Sequence, residues 1–195
     1  MGTRNLTCVF SGGDFKIAQY CQWDGYPTGQ GYYIVQFLKS VNMDRFRQRV
    51  QETVFVDDGS WTQRLREYGL DGSMDSTQEI IFKGHFPQLH RDTGAKILTL
   101  LMQSDGQFEV QSSLGFAFDG LFCEYAYVID LDKNELAIYL GYGRGSGLGH
   151  FEAYVDKFKA HGKYGPCKLW KTIPFEEVLK MDMQSLKDLE AQHPE

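Results

Sequence analysis

The densest group of chemically useful side chains lies at residues 22–31, which read Gln22-Trp23-Asp24-Gly25-Tyr26-Pro27-Thr28-Gly29-Gln30-Gly31. Glycine and proline in this segment predict an ordered turn, and ordered turns often display ligand-binding side chains. We expect Trp23 and Tyr26 to stack on a planar group, while Gln22, Asp24 and Gln30 hydrogen-bond its edge. The alternative is a strand-to-helix turn whose two aromatic rings cap the core.

Three arginines are candidates for contacting a phosphate on such a ligand, namely Arg4, Arg91 and Arg144. A guanidinium group can form two parallel hydrogen bonds with phosphate oxygens. Arg144 lies in the glycine-rich segment 141–149, which is interpreted either as a mobile loop or as a cradle of backbone N–H groups. The segment matches neither of the glycine motifs of dinucleotide and nucleoside triphosphate sites. The alternative for Arg4 and Arg91 is a structural ion pair with Asp24 or Asp92.

The sequence predicts no metal site and no cofactor. Asp130-x-Asp132-x-Asn134 begins like a calcium-binding loop, but the sixth position is Glu135 and the twelfth is Gly141. A calcium loop needs glycine and a carboxylate at those positions, so a hairpin turn is the expected structure. His85 and His90 are spaced too far apart to share a helix face, which argues against zinc.

A hydrolase is the rival functional class, with Thr3 or Cys8 as nucleophile, or with Asp24 as general base. Thr3 would need a free amine of its own to act as base, which requires removal of the two preceding residues. Cys8 alternates with polar residues in a predicted strand, where a buried, inert thiol is the usual outcome. The four cysteines contain no C-x-x-C pair and are expected to be reduced.

Composition excludes some partners. The chain has 195 residues, a formal charge of −6 and an isoelectric point near 5.4. This charge argues against a nucleic-acid duplex and an anionic membrane surface as partners. No apolar run approaches the roughly 18–20 residues of a membrane span, and the first residues lack a signal-peptide pattern. We therefore expect a cytoplasmic protein.

Local patterning predicts an α+β fold with antiparallel sheet strands and packed helices, and the layering favoured is an αββα sandwich. Two hairpins are expected, at residues 3–10 with 15–23 and at 122–130 with 135–140. Helices are expected around 34–41 and 43–50, and another opens at 91–94 with Asp92 or Thr93 as N-cap. We expect a single domain over 1–195, with an irregular lid or loop at about 55–78 and a C-terminal helix at about 175–190.

Several phrases together resemble an uncharacterised family of phage, prophage and bacterial proteins. The phrases are Gly2-Thr3-Arg4-Asn5-Leu6-Thr7, residues 22–31, Arg91-Asp92-Thr93-Gly94-Ala95 and Glu124-Tyr125-Ala126-Tyr127-Val128-Ile129-Asp130-Leu131-Asp132. The resemblance implies an accessory factor that acts on host defence, with a nucleotide-derived signal or a host protein as its target.

The opening hairpin, which ends in Gln22-Trp23-Asp24, is also similar to that of N-terminal-nucleophile hydrolases of the choloylglycine type. Those enzymes place a cysteine directly after the initiator methionine and end the second strand in Arg-Asn-x-Asp. This chain has Gly2 and Tyr20-Cys21-Gln22 at the corresponding positions, although Asp24 is retained. The likeness therefore implies a degenerate amidohydrolase as the alternative function.

The leading hypothesis is a non-enzymatic protein that binds a small molecule or a host protein. A homodimer is a further expectation, because eleven tyrosines and fourteen phenylalanines are more aromatic residues than a core of this size comfortably hides. Tyr125 and Tyr127 point to the same side of their strand. If no helix covers that side, we expect it to form the dimer interface; the other interpretation is a tyrosine-lined internal pocket.

Overall fold

The computed structural model describes residues 2–70, 74–158 and 164–193. The strands are β1 (Asn5–Ser11), β2 (Asp14–Cys21), β3 (Thr53–Phe55), β4 (Phe108–Val110), β5 (Tyr125–Asp130), β6 (Glu135–Leu140) and β7 (Lys168–Pro174). The helices are α1 (Tyr32–Ser40), α2 (Met43–Gln51), α3 (Asp58–Glu67), α4 (Ser76–His85), α5 (Lys96–Gln103), α6 (Phe175–Val178) and α7 (Met183–Ala191). None of the described helices combines the length and apolar character that crossing a membrane requires.

Five of the strands form one sheet in the order β2-β1-β5-β6-β7, and β3 pairs with β4 in a small separate sheet. The α+β class is confirmed, and both predicted hairpins are present as β1–β2 and β5–β6. The main sheet is mixed rather than antiparallel, because β1 lies beside β5 in the parallel direction. The chain between β2 and β5 contains the α-helices α1 to α5, and it returns to the side of β1 that β2 does not occupy, where β5 pairs in the parallel direction.

The two faces of the main sheet are covered differently. One face packs against α1, α2, α5, α6 and α7 around Val9, Tyr127 and Ile138. The other face packs against two short 3-10 helices, Leu114–Phe118 and Gly149–Tyr154. In the described residues, α-helices therefore cover one face of the main sheet, and short 3-10 helices and loops cover the other face. The second large sheet that an αββα sandwich requires is not formed by these residues.

The face of β5 that carries Tyr125 and Tyr127 is covered. Both tyrosines are almost fully buried in the cluster beneath the helices. A dimer through this face is expected only if no helix covers it, and this condition is not met. The alternative interpretation, a tyrosine-lined internal pocket, fits the packing.

Two expected segments differ from the sequence interpretation. Within the expected lid, Asp58–Glu67 form the helix α3, because the Asp57 side chain accepts the N–H of Ser60 and caps the start of this helix. Residues 71–73 of the same segment lie outside the described residues. The C-terminal helix is divided into α6 and α7, since Asp182 begins a new helix with its own capping box.

Candidate functional site

Residues 22–31 form a tightly hydrogen-bonded turn between β2 and α1. The hydroxyl of Tyr127, deep in the sheet, donates to the carbonyl oxygen of Gly25 at 2.7 Å. The Asn5 amide donates to the carbonyl of Trp23 at 3.1 Å, and the Gly25 N–H donates to the Thr3 carbonyl at 2.9 Å. Since these partners lie in β5, in β1 and in the residues just before β1, the sheet and its first residues fix how the turn displays Trp23 and Tyr26.

Gly2 lies directly under the Trp23 ring. A Cβ atom at this position would stand 2.2 Å from Cε3 of Trp23 and 2.5 Å from the carbonyl oxygen of Gln22. The second contact is with a backbone atom, which cannot relieve the clash by changing rotamer as a side chain can. This arrangement therefore has no room for the cysteine that choloylglycine-type hydrolases carry after the initiator methionine.

Each of the three predicted arginines lies over an aromatic ring. The Arg91 guanidinium is 5.9 Å from the ring centroid of Trp23, and that of Arg4 is 4.6 Å from Phe122. The third pair is Arg144 with Tyr142, at 5.3 Å. Trp23 and Phe122 are 43 % and 45 % exposed, so two of these pairs face solvent. We call this set the arginine–aromatic band: Arg4, Arg91, Arg144, Trp23, Phe122 and Tyr142.

The positive charges of the three arginines act on two tyrosine hydroxyls. Burial raises the pKa of Tyr20, whereas the positive charges of Arg4 and Arg91 lower it. Burial also raises the pKa of Tyr142, Glu124 raises it further, and Arg144 and Arg4 oppose the shift. Arg4 therefore acts on both hydroxyls, one of which it shares with Arg91 and the other with Arg144.

The arginines of the band are weakly neutralised. Within the described residues the Arg4 guanidinium forms no ion pair with any carboxylate, Asp24 included; only the Arg4 backbone N–H contacts an acid, Oε1 of Glu124, at 3.3 Å. Arg91 lies 3.7 Å from Asp92, and both side chains are exposed, which makes the pair weak. The structural pair is thus formed for Arg91 but not for Arg4.

The band ends at a cavity of about 290 Å³. Tyr26 and Arg144, which the sequence suggested separately, both line it, together with Glu124, Tyr125, Tyr142, Glu190 and His193. Glu190 comes from α7, and its Oε2 accepts the Thr28 hydroxyl hydrogen at 2.7 Å. The C-terminal helix therefore closes the cavity against the 22–31 turn.

The remaining predicted binding residues have different surroundings. Gln30 is buried, its Nε2 donates to Sγ of Cys21, and its Oε1 accepts the backbone N–H of Ala95. Gln22 accepts the Tyr20 hydroxyl hydrogen at 2.6 Å and lies beside the band, and Asp24 is exposed next to it. The structure thus directs Gln30 into the protein, whereas Gln22 and Asp24 remain at the surface.

The alternative catalytic residues do not form a catalytic group. Cys8 is fully buried, and its burial, with Cys167 close by, raises the pKa of its thiol well above the usual range. Thr3 is also buried, and Asp24 is exposed. No hydrogen bond joins any two of these three side chains within the described part of the chain.

A second polar cluster, which the sequence patterns do not predict, lies on the other side of the sheet. Asp130 is fully buried, its Oδ1 accepts the N–H groups of Asp132 and Lys133, and its Oδ2 accepts from Nε2 of His150 at 2.8 Å. Because the ionised Asp130 carboxylate can only accept, Nε2 of His150 carries the proton, and Nδ1 of the neutral ring accepts the Tyr139 hydroxyl hydrogen at 2.6 Å. The cluster borders a cavity of about 580 Å³.

Comparison of the chain with protein-family models, curated proteins and solved structures gave no match. The residues of the two cavities therefore carry the functional argument alone.

Proposed function

We propose that this protein binds a small anionic ligand with a planar ring, of the nucleotide class, along the arginine–aromatic band and in the adjoining cavity. It acts by capturing the ligand and performs no chemistry on it. The observation that carries the proposal is the band itself, in which the guanidinium of the partly buried Arg4 has no carboxylate partner among the described residues.

Charge supports an anionic ligand. The chain as a whole carries a formal charge of −6, so a group of three arginines differs in charge from the protein as a whole. Guanidinium groups held over aromatic rings have a fixed plane, and a fixed plane favours two-point contact with phosphate oxygens. Arg91, Arg4 and Arg144 would therefore contact phosphates at successive points along the band.

The aromatic residues support a planar ring. Trp23 and Tyr26 are both more than two-fifths exposed although they stand on a turn fixed by the sheet. Exposed rings with fixed positions lose little entropy when a second ring stacks on them. The cavity of about 290 Å³ lies at the lower end of the size of ligand sites, which suits a single base rather than a large cofactor.

The two acids of the cavity suit the polar edge of such a ligand. Glu190 already accepts from Thr28, and Glu124 accepts from the Arg4 backbone. Carboxylates held in this way have acceptor capacity left for sugar hydroxyls or ring amines. The resemblance of the motifs to phage and bacterial accessory proteins adds a role, the capture of a nucleotide signal in the cytoplasm.

Isothermal titration calorimetry against a panel of nucleoside monophosphates, dinucleotides and cyclic dinucleotides tests the proposal. The variants are Arg4→Ala and Arg144→Ala, and the control is Arg45→Ala, an exposed arginine on α2 outside the band. We expect at least one panel member to bind, with roughly tenfold or greater weakening in the band variants and no change in the control. A flat response across the panel, or equal affinity in all four proteins, would refute it.

A further inference from the structure

The buried cluster on the opposite face of the sheet brings two carboxylates and an imidazole together. Asp130 ends β5 and Glu135 begins β6, and the two residues are paired in the register of the hairpin. His150 comes from the short helix Gly149–Tyr154. One ligand atom from each of the three side chains lies within 4.8 Å of the others.

The second carboxylate of this cluster is weakly balanced. Asp130 is fully buried, but two backbone N–H groups and His150 supply the hydrogen bonds that replace its water. Its neighbour Glu135 has one cation nearby, Lys133, whose Nζ lies 3.9 Å away on an exposed side chain. Two carboxylates this close repel each other unless a positive charge lies between them.

The spacing matches a metal ion. Neighbouring donors on an ion with bonds of about 2.1 Å and octahedral angles stand about 3 Å apart. A hydrogen bond holds Nε2 of His150 and Oδ2 of Asp130 2.8 Å apart, and a metal ion would take the place of the proton they share. Glu135 has a side chain that is 21 % exposed, so it has freedom to turn toward the other two.

We propose that Asp130, Glu135 and His150 bind one divalent first-row transition metal ion, at the edge of the 580 Å³ cavity. An imidazole among the donors favours zinc, manganese or iron over calcium and magnesium, which take oxygen donors alone. Three protein donors leave coordination positions for water on the cavity side. The site is independent of the ligand proposed above, which binds elsewhere on the chain.

Tyr139 fits this site as the partner that orients His150. When Nε2 binds the metal, the histidine proton moves to Nδ1, which then donates to the Tyr139 oxygen 2.6 Å away. Hydrogen bonds of this kind fix the orientation of metal-bound imidazoles. The Phe10 ring, whose centroid is 4.9 Å from that of His150, packs against the imidazole and further restricts its rotation.

Calorimetry of chelator-treated protein with Zn²⁺ and Mn²⁺, and with Mg²⁺ as the oxygen-preferring comparison, tests the site. Glu135→Gln is the main variant, because its side chain is partly exposed and the substitution preserves size. Asp130→Asn is the second variant, since its side-chain oxygen can still accept the two backbone N–H groups of the turn. Glu152→Gln, which lines the same cavity outside the cluster, is the control.

We expect one Zn²⁺ or Mn²⁺ per chain, little affinity for Mg²⁺, and roughly tenfold or greater weakening in Glu135→Gln with no change in Glu152→Gln. Visible absorbance of the Co²⁺-loaded protein should be lost in the same variant. Absence of saturable binding in the unaltered protein refutes the site. So does binding that Glu135→Gln leaves unchanged, since the ion would then lie elsewhere; this outcome does not depend on whether Asp130→Asn folds.

Discussion

Oε1 of Gln30 accepts the backbone N–H of Ala95 at 2.8 Å, across 65 residues of sequence. This bond takes the place of an N-cap, because α5 begins without a side-chain cap of its own. The predicted start of that helix at 91–94, with Asp92 or Thr93 as cap, is wrong: Gly94 has φ +47° and the helix begins at Lys96. The bond also joins the 22–31 turn to the segment that carries Arg91, and so aligns Arg91 with Trp23.

Replacing Gln30 by alanine should destabilise the protein. The Ala95 N–H would be left buried without an acceptor, which costs about 1–3 kcal/mol of unfolding free energy. Urea unfolding followed by circular dichroism measures the change. Gln36→Ala, an exposed glutamine on α1, is the matched control and should stay within about 0.5 kcal/mol of the unaltered protein. Equal stability of the two variants would contradict the role assigned to Gln30.

Tyr127→Phe should loosen the 22–31 turn without disturbing the core. The ring remains, but the carbonyl of Gly25 loses the donor that reaches it from the buried hydroxyl. We expect a loss of about 1–2 kcal/mol in unfolding free energy, together with faster amide hydrogen exchange in residues 22–31. Tyr33→Phe, at a site 49 % exposed, is the control. Unchanged hydrogen exchange in residues 22–31 would contradict the prediction, because the remaining hydrogen bonds of the turn would then be enough to hold it.

Asp132 should make the unfolding free energy depend on pH in the acidic range. The N–H groups of Gly13 and Gly12 donate to its carboxylate, at 2.9 and 2.8 Å, and hold its pKa below the usual value. A lowered folded-state pKa gives stability that is present above the unfolded pKa of about 3.9 and is lost as pH falls through the folded value. Asp132→Asn should therefore be less stable than the unaltered protein at about pH 7, and the difference should shrink below about pH 3. A difference independent of pH would contradict this.

The sequence predicts the elements of the fold that depend on interactions between residues close together in the chain. The two hairpins and the helices α1 and α2 were found from alternation and helical spacing, because their partners lie within a few residues. The parallel contact of β1 with β5 and the strand β7 were not found, since pairing over long sequence distances leaves no local pattern. A bulge at Lys16 adds a similar difficulty: it turns Phe15 and Ile17 to opposite faces of the sheet although alternation places them on one.

The same reasoning applies to the sites. The three arginines could be selected by residue type. The ring beside Arg144, Tyr142, is only two residues away in sequence, but Phe122, the ring beside Arg4, lies on a distant part of the chain. Gln30 could also be selected by residue type, but its side chain points into the protein. The sequence of a turn does not show which of its side chains face solvent. The register of the β5–β6 hairpin pairs Asp130 with Glu135. His150 stands alone in the sequence, and the short helix Gly149–Tyr154 brings it to these two carboxylates.

The thiols of the folded protein should be inert, which separates the binding hypothesis from the hydrolase alternative. The four cysteines are buried, and burial raises the pKa of Cys8, so little thiolate is present and reagents have no access. Reaction with a chromogenic disulfide reagent should release far less than one thiol per chain within minutes in buffer, and all of them in guanidinium. Rapid reaction of one thiol, mapped by mass spectrometry to Cys8, would overturn this. Cys8→Ala should bind the panel ligand as the unaltered protein does, whereas a nucleophile at this position would make that variant lose any hydrolysis of the ligand.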